Sequence, residues 1–135
     1  MKPGNKLVAE VQELLDRFAR AMTSGDGRAA AALWETPALV LGDDMARAVG
    51  SAAEVEAFFG GAKEQYNRLG IVDTRAEIRG LEALTAKIVL VTVRWPRLDG
   101  SGAEKGSETS TYTLRRDDGG ALRIRVAMMQ GEDSR

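Results

Sequence analysis

The chain has 135 residues, a length that fits a single domain. It is 44% hydrophobic and 29% charged, which is typical of a globular protein with a packed core and excludes a disordered chain. The formal net charge is -1, so no overall positive field attracts nucleic acid, and we expect no nucleic-acid partner.

Two residue types that carry much protein chemistry are absent from the sequence. Without cysteine there are no disulfides, thiolate nucleophiles or thiolate metal ligands. Without histidine, acid–base chemistry has to use a carboxylate, a lysine or a tyrosine whose pKa is shifted by its surroundings. We therefore predict neither a metal site nor a cofactor.

No apolar run approaches the roughly 20 residues needed to cross a bilayer, so no membrane partner is expected. The first fifteen residues also lack the apolar segment of a secretory signal, because Glu10 and Glu13 interrupt it. On these grounds the sequence favours a cytoplasmic protein.

The first half of the chain has the patterns of three helices. Apolar residues recur every three or four positions over residues 5–23 and form one stripe, which predicts a long first helix. Asp26 is placed to cap a second, short helix that runs through Trp34, and Pro37 ends it.

Ser51 and Glu54 have the spacing of a capping box, which begins a third helix ending near residue 70. We expect this helix to turn five residues inward: Val55, Phe58, Phe59, Ala62 and Tyr66. Before it, residues 38–41 are predicted as a strand, Gly42-Asp43-Asp44 as a turn and residues 46–49 as a weak returning strand.

After residue 70 the apolar period changes to two, which predicts strands over residues 72–82, 85–97, 106–116 and 121–129. The last three are expected to be consecutive antiparallel strands joined by hairpins. In the final strand one face is predicted to be apolar, with Leu122, Ile124, Val126 and Met128 on it.

Three helices ahead of a long antiparallel sheet can bury their apolar faces only by covering one side of it. The predicted fold is therefore α+β, with three N-terminal helices packed on a curved, mainly antiparallel sheet. We expect a single domain over residues 1–135, in which residues 131–135 form a flexible tail.

The order of these elements, with the stretches F-A-R-A-M-T-S-G-D-G-R-A-A-A-A-L-W, A-L-V-L and V-E-A-F-F, resembles the nuclear transport factor two-like superfamily. That group includes ketosteroid isomerase and SnoaL-like polyketide cyclases. The resemblance covers nearly the whole chain and implies a cone-shaped, cystatin-like sheet with a pocket under the helices, usually in a homodimer. It does not indicate an activity, because one fold serves many.

Ketosteroid isomerase needs a carboxylate base and an oxyanion hole formed by a tyrosine and a protonated aspartic acid. Aligned on the shared stretches, Phe18 takes the place of the oxyanion tyrosine and Gly42 the place of the base. Phe59 replaces a supporting tyrosine, and Tyr112 lies near the position of the protonated acid. The resemblance therefore implies the frame of the isomerase without its chemistry.

Asp43 and Asp44 allow two interpretations. In the first interpretation, Asp43 is a candidate base displaced by one position from Gly42, with Tyr112 as a hydrogen-bond donor. The other interpretation is a hairpin tip whose aspartates satisfy their own backbone and stay solvated, and this is the one we favour.

The side chains expected to line a ligand pocket are amphipathic aromatics, large apolar rings and methionines. They are Phe18, Met22, Trp34, Phe59, Tyr66, Trp95, Tyr112 and Met128, with Met129 beside the last. The alternative is that they fill core volume. The sequence does not assign Trp95 and Tyr112 to one face of the sheet, because each ring is compatible with the pocket or with a dimer surface.

Several arginines recur on the predicted strands beside carboxylates, and they too allow two interpretations. Exposed cross-strand ion pairs are favoured, and an Asp-Arg-Asp trio that activates water, as in epoxide hydrolases of this superfamily, is the alternative. The residues concerned are Arg75, Arg79, Arg94, Arg123 and Arg125, with Asp73, Glu77 and Glu82.

Three hypotheses for function follow. The leading one is a homodimeric pocket domain that binds a small, mainly apolar molecule. The second is an enzyme resembling SnoaL-like cyclases or epoxide hydrolases, which uses Asp43 and Tyr112. The third is a structural dimerisation module whose pocket is filled by its own side chains.

Overall fold

The computed structural model describes residues 4–133, which form four helices and seven strands. The helices are α1 (Asn5–Ser24), α2 (Gly27–Ala31), α3 (Ala52–Gly60) and α4 (Ala62–Arg68). The strands are β1 (Trp34–Gly42), β2 (Met45–Val49), β3 (Asp73–Thr74), β4 (Glu77–Ala83), β5 (Ile88–Leu98), β6 (Glu104–Arg116) and β7 (Leu122–Asp133). No helix within this range is long and apolar enough to span a membrane.

All seven strands belong to one sheet. Its order is β2-β1-β7-β6-β5-β3, and β4 pairs with the same edge of β5 as β3 does. β5, β6 and β7 are consecutive antiparallel strands joined by hairpins, as predicted. β1 runs parallel to β7, and every other pairing is antiparallel. The α+β fold class is therefore confirmed.

The predicted caps position the helices. Gly25 ends α1 in the left-handed region, with a φ of 73°, and Asp26 then accepts a hydrogen bond from the Ala29 amide at 3.0 Å to begin α2. Ser51 and Glu54 form the expected capping box at the start of α3. Local chemistry thus sets where three of the four helices begin or end.

Two helix predictions were wrong in detail. α2 ends at Ala31, so Trp34 lies in β1, where it pairs with Ile124 of β7. The third predicted helix is divided at Gly61, since two adjacent glycines weaken the helix there. Phe58 does not turn inward as expected, and 40% of its surface is exposed.

β7 also differs from the prediction, because it contains a bulge. Relative to β6 it has one extra residue between Ile124 and Val126, so the faces exchange at that point. Arg125, inside the bulge, donates a hydrogen bond to the Pro37 carbonyl of β1 at 2.9 Å. As a result Ala127 is buried on the inner face, and the alternation predicted through Met128 holds only as far as Ile124.

The C-terminal strand is longer than expected. β7 continues to Asp133, which pairs with Ser107 of β6, so residues 131–133 belong to the sheet rather than to the flexible tail that we expected. The last two residues of that predicted tail, 134–135, lie outside the described residues.

The core lies between α1 and the inner face of the sheet. Its fully buried side chains come mainly from α1, β5, β6 and β7, and the largest of them is Phe18. Leu114 and Ile124 of the sheet are completely buried within it. At the other end of the inner face the helices and the sheet diverge around an open space, which contains the candidate site.

Candidate functional site

A cavity of about 390 Å³ lies between the helices and the inner face of the sheet. α1, α3 and α4 contribute to one side of it, and β1, β3, β5, β6 and β7 contribute to the other. Side chains therefore do not fill the space inside the fold.

Five aromatic rings form a cluster centred on Phe18. The ring centroid of Phe18 is 5.1 Å from that of Phe59, 6.1 Å from that of Trp95 and 6.2 Å from those of Trp34 and Tyr112. All four contacts are edge-to-face, a favoured geometry for aromatic pairs. This aromatic cluster, together with Met22 of α1, forms much of the apolar cavity wall.

Tyr112 is held inside this cluster by a buried hydrogen bond. The indole Nε1 of Trp95 donates to the Tyr112 hydroxyl oxygen at 3.0 Å. Burial raises the pKa of Tyr112 well above its ordinary value, and its hydrogen bonds with Ser110 and Trp95 offset only part of that effect. Tyr112 is therefore a neutral hydroxyl at physiological pH and not a base.

A polar stripe runs along β6 on the cavity wall. Glu108, Ser110 and Tyr112 occupy alternate positions of one strand, so their side chains share the inner face. Arg97 of β5 forms an ion pair with Glu108. Exposure increases along the stripe, from a buried Tyr112 to a Glu108 side chain that is 35% exposed.

Tyr66 of α4 faces the outer end of this stripe. The pKa of Tyr66 is raised, first by burial and then by the negative charge of Glu108, while Arg97 acts in the opposite direction. The cavity thus holds both tyrosines of the chain together with one ion pair.

The mouth of the cavity is apolar. Four of its lining residues are large hydrophobic side chains that are exposed to solvent: Phe58, Leu69, Val72 and Met129. Part of this rim belongs to the segment around α4, which has no buried residue and is bounded by Gly61 and Gly70. The mouth therefore presents apolar surface continuous with the cavity wall.

Residues 9–132 match the model of the family described as NTF2-like protein (DUF6841). The chain belongs to this family. No curated protein matches the sequence.

Solved structures share the NTF2-like fold of the chain. A domain of unknown function with a cystatin-like fold from Nostoc punctiforme is 13% identical, with a TM-score of 0.74 over 98% of this chain and 81% of that one. A ketosteroid isomerase-like protein from Erwinia carotovora atroseptica is 14% identical, with a TM-score of 0.71 over 98% and 100%. The protein Aln2 from a Streptomyces species is 19% identical, with a TM-score of 0.73 over 97% and 94%. These identities show the fold alone.

Seven of the eight residues predicted for the pocket of this NTF2-like chain line the cavity: Phe18, Met22, Trp34, Phe59, Tyr66, Trp95 and Tyr112. Met128 does not, because the bulge in β7 turns Ala127 and Met129 to the cavity instead. The structure assigns the two residues whose strand face the sequence left undecided. Trp95 and Tyr112 both lie on the inner face of the sheet. Their role in ligand binding stays a prediction.

Asp43 lies away from the cavity of the NTF2-like fold. Asp43 and Asp44 form the exposed turn between β1 and β2, and neither lines the cavity. The hairpin-tip interpretation is the one that agrees with the structure. Asp43 therefore does not take the place of the missing base at Gly42.

The strand arginines singled out from the sequence form ion pairs outside the cavity. Arg75, Arg79 and Arg94 all contact Glu77, at 2.8 to 3.0 Å. Arg123 pairs with Asp117 at 2.9 Å, and Arg125 pairs with Glu35 at 2.7 Å. None of these five arginines lines the cavity, so they do not build a water-activating trio there.

Sequence reasoning missed Arg97, Glu108 and Ser110. A signal was available, because Arg97 lies two residues after Trp95, and Glu108 and Ser110 lie four and two residues before Tyr112. Side chains at such spacings share a strand face. Within residues 4–133 no cluster of three or more acidic, histidine or cysteine side chains is arranged to hold a metal ion.

Proposed function

We propose that this NTF2-like chain binds a small, mainly apolar molecule in the cavity, as a homodimer and without ketosteroid isomerase chemistry. The observation that carries the proposal is an unfilled volume of about 390 Å³ inside walls of aromatic and methionine side chains. Ligand pockets typically measure roughly 300 to 1,000 Å³ and combine such walls with a few polar groups. This cavity has the same composition.

The unfilled volume also argues against a purely structural module. That hypothesis expects the pocket to be filled by the protein's own side chains, whereas the side chains around Phe18 leave space for a ligand. An empty cavity carries a cost, because its lining loses dispersion contacts that packed atoms would supply. A bound molecule restores these contacts.

The outer face of the sheet supports the homodimer. Thr92 and Thr111 are hydrogen-bonded to each other at 3.1 Å, and Thr111 also bonds to Gln130, so an uncharged row crosses β5, β6 and β7. Ion-pair clusters around Arg94 and Glu35 flank this row. An uncharged centre with a polar rim is the usual anatomy of a protein interface.

Native mass spectrometry of freshly purified protein, compared with a denatured control, tests both parts of the proposal. We expect a dimer mass plus the mass of a small molecule that appears free in the denatured sample. The matched variants are Ala127→Leu, which adds side-chain volume to the cavity wall, and Ala121→Leu, whose site is exposed.

Loss of the added mass in Ala127→Leu, with retention in Ala121→Leu, places the molecule in the cavity. An unliganded wild-type protein that also fails to shift in thermal stability with any member of an apolar compound library would overturn the binding proposal. A monomer at micromolar concentration would overturn the dimer.

A second candidate function is catalysis, and the position of Glu108 favours it. Glu108 supplies a carboxylate on the wall that carries Tyr112, a place that Asp43 does not reach. The released molecule, once identified, is to be incubated with wild-type protein and with Glu108→Gln, and its mass followed. Conversion by wild type alone supports an enzyme, and an unchanged mass in both supports binding only.

A further inference from the structure

We infer that the ligand of the cavity is an electrically neutral molecule whose apolar body carries an acceptor oxygen, held by a hydroxyl of the Tyr112–Ser110 pair. This inference rests on the proposed binding function and specifies the chemical class of ligand. It follows from the charges, hydrogen-bond donors and shape of the site.

The charges that line the cavity balance. Lys63 and Arg97 are the cations, and Asp73 and Glu108 are the anions. Arg97 and Glu108 are paired with each other inside the cavity, whereas Lys63 and Asp73 lie at the rim. An ionised ligand would lose its hydration inside the cavity without gaining an unpaired opposite charge there, so a neutral ligand is favoured.

The deep hydroxyl pair has a donor to spare. Tyr112 and Ser110 hold two hydroxyl protons, and an interaction between the two hydroxyl groups occupies at most one of them. Trp95 can only donate, so its bond to Tyr112 occupies a lone pair of the phenol oxygen and removes no proton. One hydroxyl proton of the pair is therefore free to donate, and its natural partner in the cavity is an acceptor oxygen.

Burial keeps this donor available. The raised pKa of Tyr112 means that the phenol stays protonated over the physiological pH range. Among the described residues, Trp34 Nε1 is also buried without a hydrogen-bond acceptor, so the aromatic part of the wall has more donors than acceptors. A ligand that supplies acceptors suits this composition better than one that supplies donors.

The apolar body of the ligand is defined by the aromatic rings around Tyr112. Phe18, Phe59 and Trp34 present ring surfaces towards the same space as Tyr112. Planar ring systems make favourable contacts with such surfaces. The class of ligand is thus a neutral, oxygen-bearing aromatic or alicyclic compound.

Three matched probes test the inference: 2-acetylnaphthalene as the neutral ketone, 2-isopropenylnaphthalene as the oxygen-free analogue of similar shape, and 2-naphthoate as the anion. Affinities are measured by ligand-observed NMR or calorimetry on the full chain. We expect the ketone to bind about threefold to tenfold more tightly than the hydrocarbon, the range given by one net hydrogen bond, and the anion to bind weakest.

Tyr112→Phe tests the donor within the same protein. We expect this variant, or Ser110→Ala where the serine hydroxyl is the donor, to reduce the ketone-to-hydrocarbon affinity ratio to near one while the hydrocarbon still binds. Thr109→Val, on the opposite face of β6, is the matched control and is expected to leave the ratio unchanged. If Tyr112→Phe does not fold, Trp95→Phe/Tyr112→Phe removes both hydrogen-bond partners and is compared through the same ratio.

The outcomes separate the inference from the binding function. Equal affinities for ketone and hydrocarbon in wild type overturn the inference and leave apolar binding intact, and so does a ratio that is unchanged in both Tyr112→Phe and Ser110→Ala. Preference for 2-naphthoate also overturns it, since Arg97 would then be available to an anion. Absence of binding by all three probes, together with no added mass on the purified protein, overturns both.

Discussion

Position 27 requires glycine because α2 and α3 approach each other closely there. A Cβ atom at this position would fall on the backbone carbonyl oxygen of Glu56 in α3, well inside van der Waals contact. The backbone of α2 can therefore lie against α3 only with glycine here. In the sequence Gly27 looks like one more small residue in S-G-D-G-R, and the contact becomes visible only when both helices are placed.

We predict that Gly27→Ala destabilises the protein by about 1–3 kcal/mol, because overpacking against backbone forces the helices apart. Chemical denaturation followed by circular dichroism measures the change. Gly60→Ala is the matched control, since Gly60 also lies in a helix but has no atom within 4 Å of the added methyl group. It is expected to be neutral or slightly stabilising. Equal losses in the two variants would contradict the role of Glu56.

An ion pair between Glu10 of α1 and Arg116 of β6 joins two distant parts of the chain. Arg116 of β6 donates two hydrogen bonds to the carboxylate of Glu10, each 2.8 Å long, and a third to the Gly120 carbonyl at 2.9 Å. The hydrogen bonds from Arg116 lower the pKa of Glu10. Because the group is partly exposed, solvent screening limits its contribution to stability.

A carboxyl group whose pKa is lower in the folded than in the unfolded state stabilises the fold above its unfolded pKa. That contribution is lost as the pH falls through the folded value. We therefore predict that Glu10→Gln lowers the free energy of unfolding at pH 7 by less than about 1 kcal/mol. The difference from wild type should begin to shrink as the pH falls below the ordinary glutamate pKa, about 4, and should vanish only below the lowered pKa of the folded state.

Urea denaturation at several pH values measures this difference. Glu13→Gln is the control, because Glu13 forms an exposed pair with Arg17 within the same helix. Its effect is expected to be smaller at every pH. A Glu10→Gln deficit that persists unchanged at about pH 3, below the ordinary glutamate pKa, would show that the variant acts through packing rather than through charge.

The two faces of the sheet have different chemistry across the whole molecule. The inner face is covered by α1 at one end and opens into the cavity at the other. The outer face has no helix over it in the described residues and carries the uncharged row of Thr92, Thr111 and Gln130. A homodimer formed through this row leaves the cavity mouth of each copy free.

We predict that Thr111→Lys converts the dimer into a monomer, since it places two like charges at the centre of the proposed interface. Size-exclusion chromatography with light scattering reports the mass, and circular dichroism checks the fold. Leu84→Lys is the control, because Leu84 is half exposed and lies between β4 and β5, away from the row. A dimeric Thr111→Lys protein would place the interface elsewhere.

Local patterns account for the elements of the fold. The apolar stripe of α1, the caps at Asp26 and Ser51, and the hairpins that join β5, β6 and β7 all depend on residues close together in the chain. The α+β class follows from their order. Most of the predicted residues that line the cavity were predictable for a related reason, since large aromatic rings on inward faces meet at the core.

Contacts between distant segments account for the rest. Met129 rather than Met128 faces the cavity because β7 has a bulge at Arg125, where it contacts β1. The apolar pattern of β7 alone does not reveal this contact with a neighbouring strand. The pairing of Arg97 with Glu108 depends on the register between β5 and β6. The unfilled cavity depends on how far the helices stand from the sheet, which is a sum of packing contacts over the whole chain and has no local signature in the sequence.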